Sequence, residues 1–486
     1  METLEYVVTT ISGFFWGPPL FIAVLGTGIY YSIAFRGAYQ LKVRYNLRNT
    51  FGTMFKKPEK GEGTISGFSA AAISISSVIG VGNIAGPATA LTMGGPGAVF
   101  WMWMTAIVGM STKAAEILLG QRYRVYFEGL DEYLAGRNYV LKNGLGWLRL
   151  AQLLAWVIVL TPWSMMVQTN AVATSIAEAF NVPVNFGIYL VMITLALTIV
   201  GGVRRIAMVA DKVVPFMAVF YIGAGIVLVL MNIGAIPAMV STIVGHAFTP
   251  YAGAGAVAGA TVAEAMRFGV ARGVYSNEAG LGTAMGIHSA AIVDHPVRQA
   301  AWGFSECLID TLIVCSITVF AIMATGANFA HPDVTGAALV TVAWQIAYGY
   351  IGGVIVAVAT AFFAWTTLLT AYYNAEKQVN FLAGDSALNR TVMWIYIVYY
   401  IGPQFFAGMD TGVVWMIADT ILIISVAASI LALVFLRKSV LELHNDYWDR
   451  FIPALERGEE PDGLSFRYDP ATGKEIVDKV KPKDQV

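Results

Sequence analysis

The chain has 486 residues, of which 57% are hydrophobic and 13% are charged, about half of the roughly 25% charged content usual in water-soluble domains. That balance excludes a water-soluble domain, which needs a charged surface. The formal net charge of -1 excludes a globally basic chain built to hold nucleic acid.

The start, METLEYVVTT, is acidic, and no short apolar core ends at a small-residue cleavage site. The first apolar segment is therefore expected to be retained. Runs long enough to cross a bilayer, about 20 mainly apolar residues each, fall at 14–36, 66–90, 96–119, 147–178, 183–200, 208–231, 257–287, 297–325, 348–378, 391–408 and 412–436. The expected fold class is an all-α polytopic membrane protein with about eleven transmembrane helices. The fourth and ninth runs are long enough to tilt or to project beyond the bilayer. Within 326–347, the stretch VTGAALVTVAWQ is too short to span and reads as an interfacial or re-entrant helix. From Arg437 the chain turns polar and is expected to form a tail with little structure of its own. Cys307 and Cys315 share one apolar run and lie too far apart along a helix to be bridged.

The linkers give an orientation. Arg36, Lys42, Arg44, Arg48, Lys56, Lys57 and Lys60 mark 37–65 and its edge, while 120–146 carries Arg122, Arg124, Arg137 and Lys142. Arg204, Arg205 and Lys212 mark 201–212, whereas 179–182, 232–256, 326–347 and 409–411 hold no Lys or Arg. Basic and non-basic linkers alternate, which places the N-terminus outside and the C-terminus in the cytoplasm.

Two segments interrupt simple apolar helices: SSVIGVGNIAGP (Ser76 to Pro87) and GVYSNEAGLGTAMG (Gly273 to Gly286). Unwound backbone is tolerated at membrane depth only inside protein or beside a water-filled cavity. There its free N–H and C=O groups can hold an anionic ligand and a cation, as in many secondary transporters. Glycine also lets helices approach closely, so tight packing is the competing reading. The first interruption is followed by four helices and the second opens a set of five. That arrangement is compatible with a 5+5 inverted repeat after one extra helix. The expected organisation is 1–65 (extra helix and cytoplasmic linker), 66–231 (first five-helix repeat), 232–256 (outer linker), 257–436 (second repeat, with the outer-loop segment 326–347) and 437–486 (cytoplasmic tail).

Other polar residues sit at depth. Gln168 and Asn170 either line a cavity or tie helices together. Thr360, Thr366, Thr367, Thr370 and Asn374 offer hard oxygens, although threonine also bonds its own helix. Lys113 and Glu116 are expected to pair with each other, as are Glu264 and Arg267, from their spacing. Arg272 and Glu278 flank the second interruption as gating residues or structural ties. Glu306 and Asp310 carry the same ambiguity, and Asp419 stands alone in the final span. The five histidines form no metal-spacing motif, and there is neither a Walker segment nor a nucleophile arrangement. Catalysis is disfavoured. A channel or scaffold that uses the same glycines for packing remains the alternative class.

The motif Ser276-Asn277-Glu278-Ala279-Gly280-Leu281-Gly282, with Gly80-Val81-Gly82-Asn83-Ile84-Ala85-Gly86 and the Gln168/Asn170 pair, resembles the alanine or glycine:cation symporters, the sodium:alanine symporter family. The resemblance covers most of residues 1–440. It implies the leucine-transporter-like fold, with one extra N-terminal helix before a ten-helix core. It also implies sodium-coupled import of alanine or glycine by alternating access in the cell membrane. Sodium would be the co-transported ion, with no organic cofactor. The partners would be a small neutral amino acid and membrane lipid, with no nucleic acid.

By the same resemblance, Gly80, Val81, Gly82 and Asn83 would meet the substrate carboxylate. Ser276, Asn277 and Gly280 would meet its ammonium, with help from Gln168 or Asn170. Ser76, Ile79, Thr366 and Thr367 would hold sodium. Met285 and Trp163 are candidates to cap the pocket. Many relatives continue the glycine motif with Ser-Ala-Pro-Ile-Ala-His, where this chain has Thr283-Ala284-Met285-Gly286-Ile287-His288. That departure bears on pocket size.

Overall fold

The computed structural model describes residues 18–54, 62–127, 132–200, 216, 219–250, 261–383, 389–469 and 473–480. Each of the expected spans has a helical counterpart. Helix α1 is Pro18–Ala34; α2 (Gly67–Val78) and α3 (Ala85–Gly94) form one bent unit; α4 is Pro96–Arg122. Helices α5 (Leu148–Val159) and α6 (Met166–Phe180) follow, then α7 (Val184–Ile199), α8 (Val219–Met231) and α9 (Ile236–His246). The second half holds α10 (Val262–Asn277), α11 (Thr283–Ile287), α12 (Pro296–Thr325), α13 (Gly336–Tyr348), α14 (Tyr350–Ala383), α15 (Asn389–Ile401) and α16 (Thr411–Phe435).

Helices α12, α14 and α16 are individually long and apolar enough to cross a membrane. Large apolar side chains such as Ile33, Trp156, Ile193, Leu197 and Ile395 are exposed on the helix surfaces, where lipid is their natural solvent. Buried positions are filled by small residues that let helices close up. A Cβ built on Gly269 would lie 2.2 Å from the Ala98 carbonyl, and one on Gly273 would lie 2.0 Å from Thr105 Oγ1. Only glycine permits this approach between α10 and α4.

Several boundaries differ from the sequence reading. The run 147–178 is not one tilted helix, because it bends by 45° between Val159 and Thr161. Pro162 opens the second part, where its missing N–H and fixed φ favour a new helix start over continuation. The helix in 232–256 was not expected; α8 turns by 72° into α9 there. Residues 201–215 and 251–260, in which parts of the sixth and seventh runs begin, lie outside the described residues. Segment 326–347 contains α13, whose Gly336, Ala337, Leu339, Val340 and Trp344 are buried. Helix α14 has 34 residues, about 51 Å of rise, and so projects beyond a hydrocarbon core of roughly 30 Å.

The tail is the clearest correction. It is ordered as helix α17 (Arg437–Asn445) and a hairpin of β5 (Gly463–Tyr468) and β6 (Glu475–Val480). Strand β5 pairs in parallel with β2 (Val125–Phe127) at Tyr468 and Val125, and β2 pairs with β3 (Glu132–Leu134). A shorter pair joins β1 (Ile65–Ser66) to β4 (Ala291–Ile292). The buried Arg124 locks this layer. Its Nε donates to Phe466 O at 2.8 Å, and its Nη2 donates to Ser465 Oγ at 2.7 Å and to Glu62 O at 2.7 Å. Polar composition predicted solvation, but a buried guanidinium supplies the donors that fix the hairpin.

Candidate functional site

The first break follows α2. Ile79 leaves the helix, Gly80 is extended, Val81–Asn83 makes one tight turn, and α3 sets off at 57° to α2. The Gly80 N–H donates to Asn83 Oδ1 at 2.9 Å, and the Val81 N–H donates to Gln168 Oε1 at 3.2 Å. The second break falls inside the interrupted segment Gly273 to Gly286, at its glycines Gly280 and Gly282. Helix α10 runs through Gly273 to Asn277; Glu278, Gly280 and Gly282 then take positive φ angles of 57°, 95° and 76°. A side chain at Gly282 would also strike Arg137 Cγ at 2.4 Å.

The two breaks meet at Asp310. Its carboxylate accepts from Asn83 Nδ2, from Ser276 Oγ at 2.9 Å and from Thr311 Oγ1 at 2.6 Å. Asn83, Ser276 and Asp310 are all buried. No cationic side chain within ion-pair distance of Asp310 is found among the described residues. A buried carboxylate held only by neutral donors is costly unless a cation or a proton joins it. Thr367 approaches the same place from α14, since a Cβ on Gly80 would lie 2.5 Å from Thr367 Oγ1 and 3.5 Å from Gln168 Oε1.

The remaining expected residues divide. Gly80, Val81, Gly82, Asn83, Gln168, Ser276 and Thr367 come together, with Gly82 in contact reach of Ser276 and Tyr275. The Ser76, Thr366 and Thr367 hydroxyls all donate to carbonyls of their own helices, Ser76 to Ile73, Thr366 to Phe362 and Phe363, and Thr367 to Phe363. Asn277 holds the second break, accepting from the Ala279 N–H at 3.0 Å. Asn170 is turned away. Its Nδ2 donates to Ala407 O at 2.8 Å, tying α6 to the connection before α16. Met285 lies against α4 beyond the second break, where a Cβ on Gly120 would meet its carbonyl at 2.2 Å. Trp163 donates to Tyr399 and stacks on Phe406, also away from the junction.

The expected charge pairs are re-sorted. Lys113 and Glu116 do not pair with each other; both serve the second break. Lys113 Nζ donates to Asn277 O at 2.9 Å and lies 2.6 Å from Glu306 Oε2. Glu116 Oε1 accepts the N–H groups of Gly280 at 3.0 Å and Gly282 at 2.8 Å. Unwound backbone exposes stronger partners than a neighbour on the same helix. Glu264 caps its own helix through Thr261 and is not the partner of Arg267. Asp419 is not isolated, because Arg272 donates to it twice, at 2.9 and 2.6 Å. Arg272 also stacks over Trp415, which meets Tyr275 edge-on.

This layer lies beyond the junction toward the Lys- and Arg-free linkers. Toward the basic linkers, Arg137, Gly282, Thr283, Asn374 and Gln378 line a small cleft, and Arg137 donates to the Leu281 carbonyl. The sequence reading singled out neither Tyr275 nor Trp415. Asp310 was visible as a carboxylate in an apolar run, but nothing local said which elements it joins.

Comparisons with known proteins show the family and the fold. The family model described as the sodium:alanine symporter family matches residues 1–459. An uncharacterized transporter, YflA of Bacillus subtilis (strain 168), is 39% identical over 454 residues, covering 92% of this chain and 94% of that protein. The sodium/alanine symporter AgcS of Methanococcus maripaludis is 39% identical over 425 residues, covering 85% and 91%. The crystal structure of MhsT in complex with L-phenylalanine matches the fold with a TM-score of 0.55 at 14% identity, covering 79% of this chain and 98% of that one. The architecture is thus leucine-transporter-like and the chain an integral membrane transporter, not an enzyme. It belongs to the sodium:alanine symporter family and is a sodium-coupled amino-acid symporter.

Proposed function

We propose that the protein imports alanine or glycine with sodium by alternating access, through about eleven crossings with its N-terminus outside. The observation that carries this reading is the junction of the two broken helices at Asn83, Ser276 and Asp310, with Gly80 against Thr367 and Gln168. The substrate carboxylate would take over N–H groups around Gly80 to Gly82, displacing the Gln168 amide from Val81. Its ammonium would meet carbonyl oxygens near Ser276. Sodium would use the Ile79 carbonyl and Thr367, with Asp310 as a second place for positive charge. A Cβ on Gly82 would lie 3.2 Å from Ser276 Cα and 3.3 Å from Tyr275 Cδ1, and this close approach of the two broken helices supports a small substrate side chain. The Arg272–Asp419 layer would close the outer path and the cleft at Arg137 would open the inner one.

Uptake into proteoliposomes tests the substrate. Labelled alanine should accumulate under a sodium gradient and be competed by glycine and alanine at least tenfold better than by leucine or phenylalanine, since a clash rejects larger groups. Equal competition by phenylalanine removes the small-pocket claim. Absence of accumulation under sodium, with accumulation under a proton gradient, reassigns the ion.

Orientation has its own measurement. Cys307 and Cys315 are free and buried, so they can be replaced and single cysteines introduced. In intact cells a membrane-impermeant maleimide should label Val240→Cys and Thr335→Cys and leave Arg48→Cys and Arg450→Cys unlabelled. The opposite pattern rejects the orientation.

A further inference from the structure

Where α1 ends, the chain turns at Arg36 and Gly37, both at positive φ, and continues into the short helices Ala38–Leu41 and Val43–Asn49. Helix α17 of the tail packs beneath this turn. Between them lies an open crevice lined by Arg36, Lys42, His444, Asn445, Trp448 and Asp449, floored by Phe35. The transport pathway uses none of these residues.

The lining is rich in donors. Arg36 and Lys42 are exposed cations, and Lys42 Nζ sits 3.3 Å above the Trp448 ring. His444 is only 4% exposed and stacks on Phe35 at 4.3 Å. Its Nδ1 and the Trp448 indole N–H are both buried without a hydrogen-bond partner among the described residues. Burial, then the charges of Lys42 and Arg36, lower the His444 pKa to about 3, so its ring is neutral and keeps one N–H to donate. Among the lining residues the acid is Asp449, which is exposed, and the exposed Glu456 also lies near Lys42. The indole N–H can only donate, and the neutral imidazole can donate from Nδ1 in the tautomer protonated there, so the two unpartnered nitrogens beside two cations suit an acceptor in the crevice.

The setting names the acceptor. Ile29 and Ile33 are exposed on α1 just before the turn, and Leu41, Val43 and Leu47 are exposed just after it. An acyl chain lying on Ile29 and Ile33 would bring its headgroup to Arg36. Apolar residues interleaved with Lys42, Arg44 and Arg48 are the pattern of a segment resting in the bilayer interface. We propose that this crevice binds the phosphate of an anionic phospholipid, held by Arg36, Lys42 and the two unpartnered ring nitrogens, so that a lipid fastens the tail helix to the end of the first span. Arginine and lysine suit phosphate through charge-assisted hydrogen bonds, and basic residues at the cytoplasmic surface favour anionic lipid.

Native mass spectrometry of the full-length, delipidated protein in detergent tests this. Wild type should retain phosphatidylglycerol at least tenfold better than phosphatidylcholine of the same chains. Removing both exposed charges in Arg36→Gln/Lys42→Gln should weaken phosphatidylglycerol on the order of 30-fold. His444→Phe, which keeps the stack on Phe35, should weaken it several-fold while the protein still elutes as a folded species. Equal retention of the two lipids, or unchanged retention by Arg36→Gln/Lys42→Gln, overturns the proposal. Displacement of bound phosphatidylglycerol by millimolar inorganic phosphate assigns the crevice to a soluble anion and overturns the lipid.

Discussion

Asp310→Asn is expected to reduce sodium-driven alanine uptake by about 100-fold, roughly 2.7 kcal/mol of lost stabilisation, while the protein still folds. The substitution keeps the shape and one acceptor oxygen for Ser276 and Thr311, so packing at the junction survives. What it removes is the negative charge beside Asn83 and Ser276. If a cation or the substrate ammonium enters with the charge uncompensated in a buried site, losing the carboxylate costs about 1.5–3 kcal/mol per charged hydrogen bond. The measurement is initial uptake against sodium concentration in proteoliposomes, with size-exclusion chromatography as the folding control. Wild-type uptake with unchanged sodium activation would show that Asp310 is structural and would return the ion site to Thr367 and the Ile79 carbonyl alone.

Glu306→Gln is expected to destabilise the folded protein by about 3 kcal/mol or more, because it leaves Lys113 buried without an anion. Glu306 accepts from Ser74 at 2.9 Å, lies 2.9 Å from His288 Nε2 and pairs with Lys113 at 2.6 Å, all inside the protein. An amide can keep the neutral partners but cannot balance the ammonium. The double variant Lys113→Met/Glu306→Gln should recover most of the loss, as replacing a buried pair with neutral groups is often close to neutral. Thermal unfolding of the four members of this cycle in detergent reads the coupling. Additive losses in the double variant would mean that Lys113 matters through Asn277 O and the second break, independently of Glu306.

The two expectations rest on features of different legibility. Both breaks were readable, because Gly80, Gly82, Gly280 and Gly282 are poor helix formers in runs that must otherwise satisfy every backbone group in lipid. The second break falls at Glu278, Gly280 and Gly282, within the segment read as interrupted. Gly273 reads locally as a helix breaker, yet it is helical and serves close packing against Thr105. Asn170 reads equally as cavity lining or as a tie between helices, and Met285 is a candidate cap; the contacts of both are with neighbouring elements. Asn170 lies within two residues of Gln168, but on a helix neighbouring positions face different directions, and its amide meets Ala407 O instead.

Composition, run length and the alternation of basic linkers were enough to establish a polytopic helical protein with two interrupted spans, and the motifs were enough for the family. These are properties of single segments facing lipid and water, and a segment carries its own hydropathy and charge. Partnership was decided only by the tertiary structure. Asp310 joins Asn83 and Ser276, Lys113 joins Glu306, Asp419 joins Arg272, and the polar tail forms strands beside Arg124. Each of these contacts spans a long stretch of chain, and each buried charge takes whichever donor or acceptor the packed helices bring within hydrogen-bond reach, a choice no local spacing encodes.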